Sequence, residues 1–204
     1  MITVIPKYEK RIVRENSVYV DTTSQSANDW TKELSPFSLG PCPLYNGYSA
    51  KLMENAWQYS KVYSGYTDEN GDPDESYFNW AKAGWTKNTP VRYPMGKGKR
   101  PLFSWWAGKR LGYIEARKKI YAPLYARCVI KTAAYSRLQE FLSTGTDLYL
   151  IDYDAYRHGD LNMSLTDVLN FPDKKMGHAF VLMMLLTQDS ALKEIDFCSD
   201  MNQN

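Results

Sequence analysis

The chain has 204 residues, enough for one domain of ordinary size with a substantial core. Apolar residues make up 44% and charged residues 24%, globular values that exclude wholesale disorder. Lys and Arg number 25 against 23 Asp and Glu; a net charge of +2 excludes bulk electrostatic capture of nucleic acid, though not a local phosphate pocket.

Cys42, Cys128 and Cys198 are scattered and odd in number, and the histidines are only His158 and His178. Neither a zinc site nor a disulfide framework is expected from such spacing. The N-terminal residues "MITVIPKYEKRIVRE" lack the apolar core of a secretory leader, and "AFVLMMLL" is far too short to span a bilayer. A cytosolic protein without a membrane partner is expected. Aromatic residues reach 14%, with 16 Tyr and 6 Trp. Such rings stack on bases and sugars, but they also build cores, and the core is the first explanation.

In chain order, "RIVRENSVYVDTTS" alternates β-branched and aromatic residues and predicts one or two strands. "SPFSLGPCPLYNGYS" is a loop punctuated by Pro and Gly. It leads to a helix predicted over about residues 50–63, with Ser49 as its cap. Within "MENAWQYSKVY", Glu54, Gln58 and Lys61 fall at roughly 0°, 40° and −20° around that helix. They share one narrow stripe, while Leu52, Ala56, Tyr59 and Tyr63 gather opposite. An exposed helix also shows Glu, Gln and Lys on its polar face, so by itself the stripe reads as solvated.

Next come an acidic turn-rich loop, "TDENGDPDES", and a short helix over residues 76–83. "RYPMGKGKRP" is a basic glycine loop carrying Arg92, Lys97, Lys99 and Arg100. It is not a Walker loop, because it lacks that spacing and the Ser or Thr that holds magnesium. Its glycines let backbone approach a phosphate, and its cations suit a pyrophosphate, although a solvated basic turn would look the same. Helix is predicted from near Gly108 to Leu142 with a break around Pro123. "TGTDLYLIDYD" is a turn entering a buried strand, "SLTDVLNFP" a capped helical turn stopped at Pro172, and residues 176–186 the final helix. The tail beyond Gln188 is expected to fray. The order describes a mostly helical α+β single domain, residues 1–204, with a small β-sheet.

Four segments in this order resemble the NADAR family, N-glycosidase-like proteins associated with NAD and ADP-ribose chemistry. "MENAWQYSKVY" is similar to its helix with Glu, Gln, Lys and an aromatic residue in fixed spacing, and "MGKGKRPLFSWW" to its basic glycine loop followed by tryptophan. "LSTGTDLYLIDYDAYRHG" resembles its Thr-Gly turn, buried strand and following aspartate, and "KKMGHAFVLMML" its closing helix. Together they span about residues 35–186. The chain departs from the pattern at Asn55, where the family has histidine, and at Asp152, where it has glutamate. "YRHG" stands for its Trp-Gly, "SPF" for Ser-Asn-Phe, and "SLTDVLNFPDKK" for a shorter glycine-rich linker. These departures mark a divergent branch, in which the reaction class carries over better than the substrate.

The resemblance implies cleavage of an N-glycosidic bond in an ADP-ribosylated base, free or attached to nucleic acid, or in a related phosphoribosyl-amino nucleotide. Such a reaction passes through a sugar with oxocarbenium character, served by two carboxylates and a proton donor without metal or cofactor. Glu54, Lys61 and Asp154 are the catalytic candidates. Gln58, Asn55, Asp152, Arg92, Lys97, Lys99, Arg100 and Trp105 are the candidates for substrate binding. His158 and His178 are expected to be structural or peripheral. Two other classes stay open: a nucleotide-binding protein of the same fold without turnover, and an aromatic-rich protein-interaction module.

Overall fold

The computed structural model describes residues 1–12 and 14–197. It is a single α+β domain in which helix exceeds strand. Of the strands expected near the N-terminus, one forms at Ser17–Asp21 (β2); the other lies earlier, at Ile2–Pro6 (β1). A short helix, Asp29–Lys32 (α1), precedes the loop that carries Ser35 to Phe37. Cys42–Pro43 (β3) and Ser49–Ala50 (β4) then pair antiparallel.

The helix expected over residues 50–63 is only Met53–Gln58 (α2). Ser49 does not cap it, because that residue is committed to β4. The first free amides of α2 are instead met by backbone: Met53 N–H donates to the Leu39 carbonyl at 2.8 Å and Glu54 N–H to the Pro36 carbonyl at 3.0 Å. Beyond Gln58 the chain opens into Lys61–Val62 (β5), the edge of an antiparallel sheet with Phe103–Trp106 (β6) and Lys109–Leu111 (β7). Between β5 and β6 lies Glu75–Trp85 (α3), capped by the Asp74 side chain at the Tyr77 amide.

The long helical stretch is four pieces: Tyr113–Ala116 (α4), a π-helical turn at Arg117–Tyr121, Ala122–Val129 (α5) and Ala133–Ser143 (α6). Its predicted start at Gly108 is wrong, since β7 occupies that ground. The break before Pro123 is a widened turn, with Ala122 N–H bonded five residues back to the Arg117 carbonyl. Asp147–Asp152 (β8) is the buried strand expected from "LYLI". It sits at the centre of a parallel sheet in the order β1-β8-β2, and burial on both faces explains its unbroken apolar run. Val4, Val20 and Leu150 are paired across this sheet and are fully buried.

Leu165–Asn170 (α7) starts with a reciprocal cap between Ser164 and Asp167, and His178–Thr187 (α8) packs on β1, β8 and α5. The expected fraying does not begin at Gln188, because Ser190–Glu194 forms a 3₁₀ turn. The last part of that expectation, beyond residue 197, lies outside the described residues. Most tyrosines and tryptophans join the core: Tyr45, Trp85 and Trp106 pack edge to face, as do Tyr63 and Trp80. No described helix is long and apolar enough to cross a membrane.

Candidate functional site

A cavity of about 480 Å³ opens where the C-terminal ends of β2 and β8 meet α2, the π turn and the start of α8. Carboxyl ends of parallel strands commonly carry such sites, because the chain turns off the sheet there and leaves a crevice. Asp152, Tyr153 and Asp154 enter from β8, and Thr23, Ser24 and Gln25 from β2.

Glu54, Gln58 and Lys61 line this cavity together. Gln58 Nε2 donates to Glu54 Oε1 at 2.9 Å, and Lys61 Nζ donates to Gln58 Oε1 at 2.7 Å. The amide thus bridges a carboxylate and an ammonium group, which fixes its orientation. Glu54 is only 6% exposed, so the stripe is not a solvated face. Glu54 and Gln58 share one helical face, as their spacing predicts. Lys61 does not belong to that helix: it comes from β5, and its Nζ also sits 4.6 Å from the centre of the Trp57 ring.

Burial raises the pKa of Glu54, opposed by the Gln58 hydrogen bond and by the charges of Lys61, Arg92 and His178. Burial likewise lowers Lys61 to about 8, against the pull of Glu54. Both shifts have one physical origin, the loss of water around a charge. They move acid and amine toward neutral pH, where proton transfer is most effective.

Asp154 faces the same cavity and is flanked by two cations, Arg92 at 3.3 Å and Lys175 at 3.7 Å. The basic loop borders the cavity through Arg92, Tyr93, Gly96, Gly98, Lys99 and Pro101. Gly96 and Gly98 have φ of +94° and +89°, and a Cβ on either would meet nothing within 4 Å. Glycine there answers to backbone conformation, and it leaves the loop face open.

Several expected binding residues stand elsewhere. Lys97 and Arg100 do not line the cavity; of the loop's lysines it is Lys99 that does. Trp105 lies in β6 against Phe78, and Trp57 is the tryptophan at the cavity. Asn55 is fully buried, about 100° around α2 from Glu54 and outside the cavity lining, and makes bonds to backbone. Its Nδ2 donates to the carbonyls of Lys87 and Thr89, and its Oδ1 accepts the Val91 amide at 2.9 Å. It therefore anchors the segment that delivers Arg92. Asn55→Ala is expected to destabilise the fold by about 1–3 kcal/mol, because three part-buried backbone groups lose a partner and the site is left unfilled. A chemical-denaturation series would show it; a change under about 0.5 kcal/mol would mean that those groups find other partners.

Other cavity residues carry no signal in the linear sequence. The π turn brings both Arg117 and Tyr121 to the wall. Burial holds the Tyr121 phenol far above its usual pKa, with Asp152, Glu54 and Asp154 adding to the effect. Arg117 is 2% exposed and spends its guanidinium on carbonyls: Val168, Leu169 and Phe171 from Nη1 and Lys174 from Nη2, at 2.9–3.1 Å. It closes the C-terminal end of α7 and pins the link to Lys175 and His178. Arg117→Met is expected to cost about 3 kcal/mol, read as a lower urea midpoint at unchanged slope. His178, expected to be structural or peripheral, is not peripheral: it lines the cavity and pairs with Asp152 at 3.0 Å. His158 stays away from it, against Phe180. No group of three or more His, Cys, Asp or Glu among the described residues could hold a metal ion.

Fold and site together define an α+β protein with a polar cleft, acid and amine bridged on one wall and cations opposite. The model of a family of unknown function, DUF6939, matches residues 7–168, and the chain belongs to that family. The match takes in Glu54, Lys61, Arg92 and Asp154 and ends before Lys175 and His178. No curated protein matches the chain, and no solved structure does.

Proposed function

We propose that this protein is an N-glycosidase acting on an ADP-ribosylated base or a related phosphoribosyl-amino nucleotide. The observation that carries the reading is the bridged Glu54–Gln58–Lys61 set, facing a nucleotide-sized cavity that also holds Asp154, Arg92, Lys99 and Lys175. The resemblance of four segments to the NADAR family is a second, separate support.

In this reading Arg92, Lys99 and Lys175 bind the phosphates, and Trp57 offers an aromatic face to the base or sugar. Glu54 activates water or stabilises the cationic sugar as the bond to the leaving nitrogen breaks. Lys61 either protonates that nitrogen or, as the free amine, adds to C1 as the ribose ring opens and displaces the base. In that second route the C1–N bond breaks, the base leaves with a proton, and water hydrolyses the resulting imine to the sugar aldehyde and free Lys61. Asp154 is the second carboxylate, held toward the cavity by its two cations. The protein works in a reducing, cytosolic setting in this account; the described thiols, Cys42 and Cys128, are free although their sulfurs lie 2.8 Å apart.

The test is incubation with ADP-ribosylated guanosine in DNA and with a panel of nucleotide N-glycosides, following released base or sugar. Release in one arm, lost in Glu54→Gln, is the expected result. Nucleotide binding without release in any arm would establish instead a binding protein of the same fold, a reading that the departures from the NADAR pattern at Asn55 and "YRHG" favour. Neither binding nor release would return the aromatic-rich interaction module.

A further inference from the structure

Asp152 and His178 line the cavity but have no part in the steps above. Asp152 ends β8 and His178 begins α8, and they are 4% and 6% exposed. The imidazole Nε2 lies 2.9 Å from the Thr22 carbonyl oxygen. A carbonyl can only accept, so this nitrogen carries a hydrogen. Nδ1 lies 3.0 Å from Asp152 Oδ2, and that same oxygen accepts the Ala179 amide at 3.2 Å. Backbone N–H groups of both Ala179 and Tyr153 bond the Asp152 carboxyl, the pattern of an ionised carboxylate, and since such an oxygen can only accept, the second hydrogen belongs on Nδ1.

Gly177 makes the approach possible. A Cβ there would stand 2.2 Å from Asp152 Oδ2 and 2.8 Å from Cγ, so any larger residue would push the carboxylate away from the ring. Burial alone would drive the imidazole to its neutral form, yet Asp152, by charge and hydrogen bond, raises its pKa overall. Asp152 shows the converse: burial raises it, and the His178 charge and the bonds to it bring it below the ordinary value.

We infer that His178 is a standing imidazolium, locked by Asp152 and the Thr22 carbonyl, a positioning residue whose fixed charge on the cavity wall it shares with Glu54 favours the ionised form of that carboxyl. Every charged neighbour of Glu54 bears on this. Lys61 faces it from β5, Arg92 from the basic loop and His178 from α8, with the neutral phenol of Tyr121 from the π turn. Around His178 itself stand Asp152, Glu54 and the Tyr125 ring of α5, 5.4 Å away. At neutral and lower pH Lys61, Arg92 and His178 all favour the Glu54 carboxylate, Lys61 foremost; above about pH 8 Lys61 loses its charge, and Arg92 and the imidazolium fixed by its partners remain.

The role toward Glu54 rests on the N-glycosidase reading, whereas the protonation state of the ring does not. The chain has only two histidines, so ¹⁵N correlation spectra of the full-length protein resolve both rings. The expected result is a His178 ring with both nitrogens protonated from about pH 6 to about pH 8, while His158 titrates separately. An unprotonated Nδ1 at neutral pH would overturn the inference. For the second half, the Glu54 carboxyl carbon is titrated by ¹³C spectra and assigned with Glu54→Gln. His178→Gln should move its midpoint up by about one unit or more. Gly177→Ala keeps every charge and crowds Asp152, with the Asp154 carbonyl next at 3.1 Å, so it serves if His178→Gln does not fold, and a smaller upward shift is expected. An unchanged Glu54 midpoint in both variants would sink the positioning role. Neither readout needs turnover, so absence of N-glycosidase activity would leave both measurements standing.

Discussion

Glu54→Gln is expected to lower kcat by about a hundredfold or more, roughly 3 kcal/mol, while leaving the fold at least as stable as wild type. The replacement keeps the shape and still offers an amide oxygen to Gln58 Nε2, the bond now made at 2.9 Å. What disappears is a carboxylate whose charge opposes the cationic sugar in the transition state. The stability side follows from the raised pKa of Glu54, caused first by burial. A carboxyl whose pKa is higher folded than unfolded favours the fold below the unfolded value and penalises it above, so at neutral pH the wild type carries that penalty. Thermal melts at pH 7 should therefore show Glu54→Gln equal to or above wild type. Lys61, having lost its carboxylate neighbour, should titrate below its present value of about 8. Activity within about threefold of wild type on a cleaved N-glycoside would remove Glu54 from the mechanism.

Lys61→Ala should damage turnover to a similar degree, and pH separates the two roles open to the amine. With a pKa of about 8, set by burial, about a tenth of the side chain is neutral at pH 7. If the free amine attacks ribose, kcat/KM should climb through about pH 8 and level off above it. Should the ammonium instead donate a proton to the leaving nitrogen, kcat/KM should fall through the same point. Borohydride reduction during turnover gives the covalent counterpart: an adduct at Lys61 marks the imine route, and its absence leaves proton donation. A profile flat across about pH 8, with no adduct, would mean that Lys61 only holds Gln58. The linkage sign is also fixed. A lysine with its folded pKa below the unfolded 10.5 penalises the fold at neutral pH, and the penalty fades between about 8 and 10.5.

Local chemistry made much of this molecule readable in advance. The run "LYLI" is apolar on both faces, and such a strand can only lie inside a sheet; it became the centre of β8. Ser164 and Asp167 stand at the spacing of a reciprocal cap and start α7. The four-residue interval between Glu54 and Gln58 places both on one helical face, and they are hydrogen-bonded there. Gly96 and Gly98 marked a glycine loop, and both take left-handed backbone there. Each of these depends on residues a few positions apart, where periodicity and backbone sterics suffice.

The rest was decided at a distance. Lys61 reaches the cavity because β6 pairs with its strand, with Ser104 opposite it in register, and not because a helix continues past Gln58. Asn55, beside the candidate base in sequence, turns away to hold backbone more than thirty positions later. Arg117 and Tyr121 arrive through a π turn whose widened register no 3.6-residue pattern describes. His178 meets a carbonyl 156 positions earlier, through contacts that exist only once α8 lies on the parallel sheet. A side chain's direction within its own element is set by bond geometry that a sequence encodes. Which groups then lose their water together, and so change charge or pair, depends on the packing of elements remote in the chain.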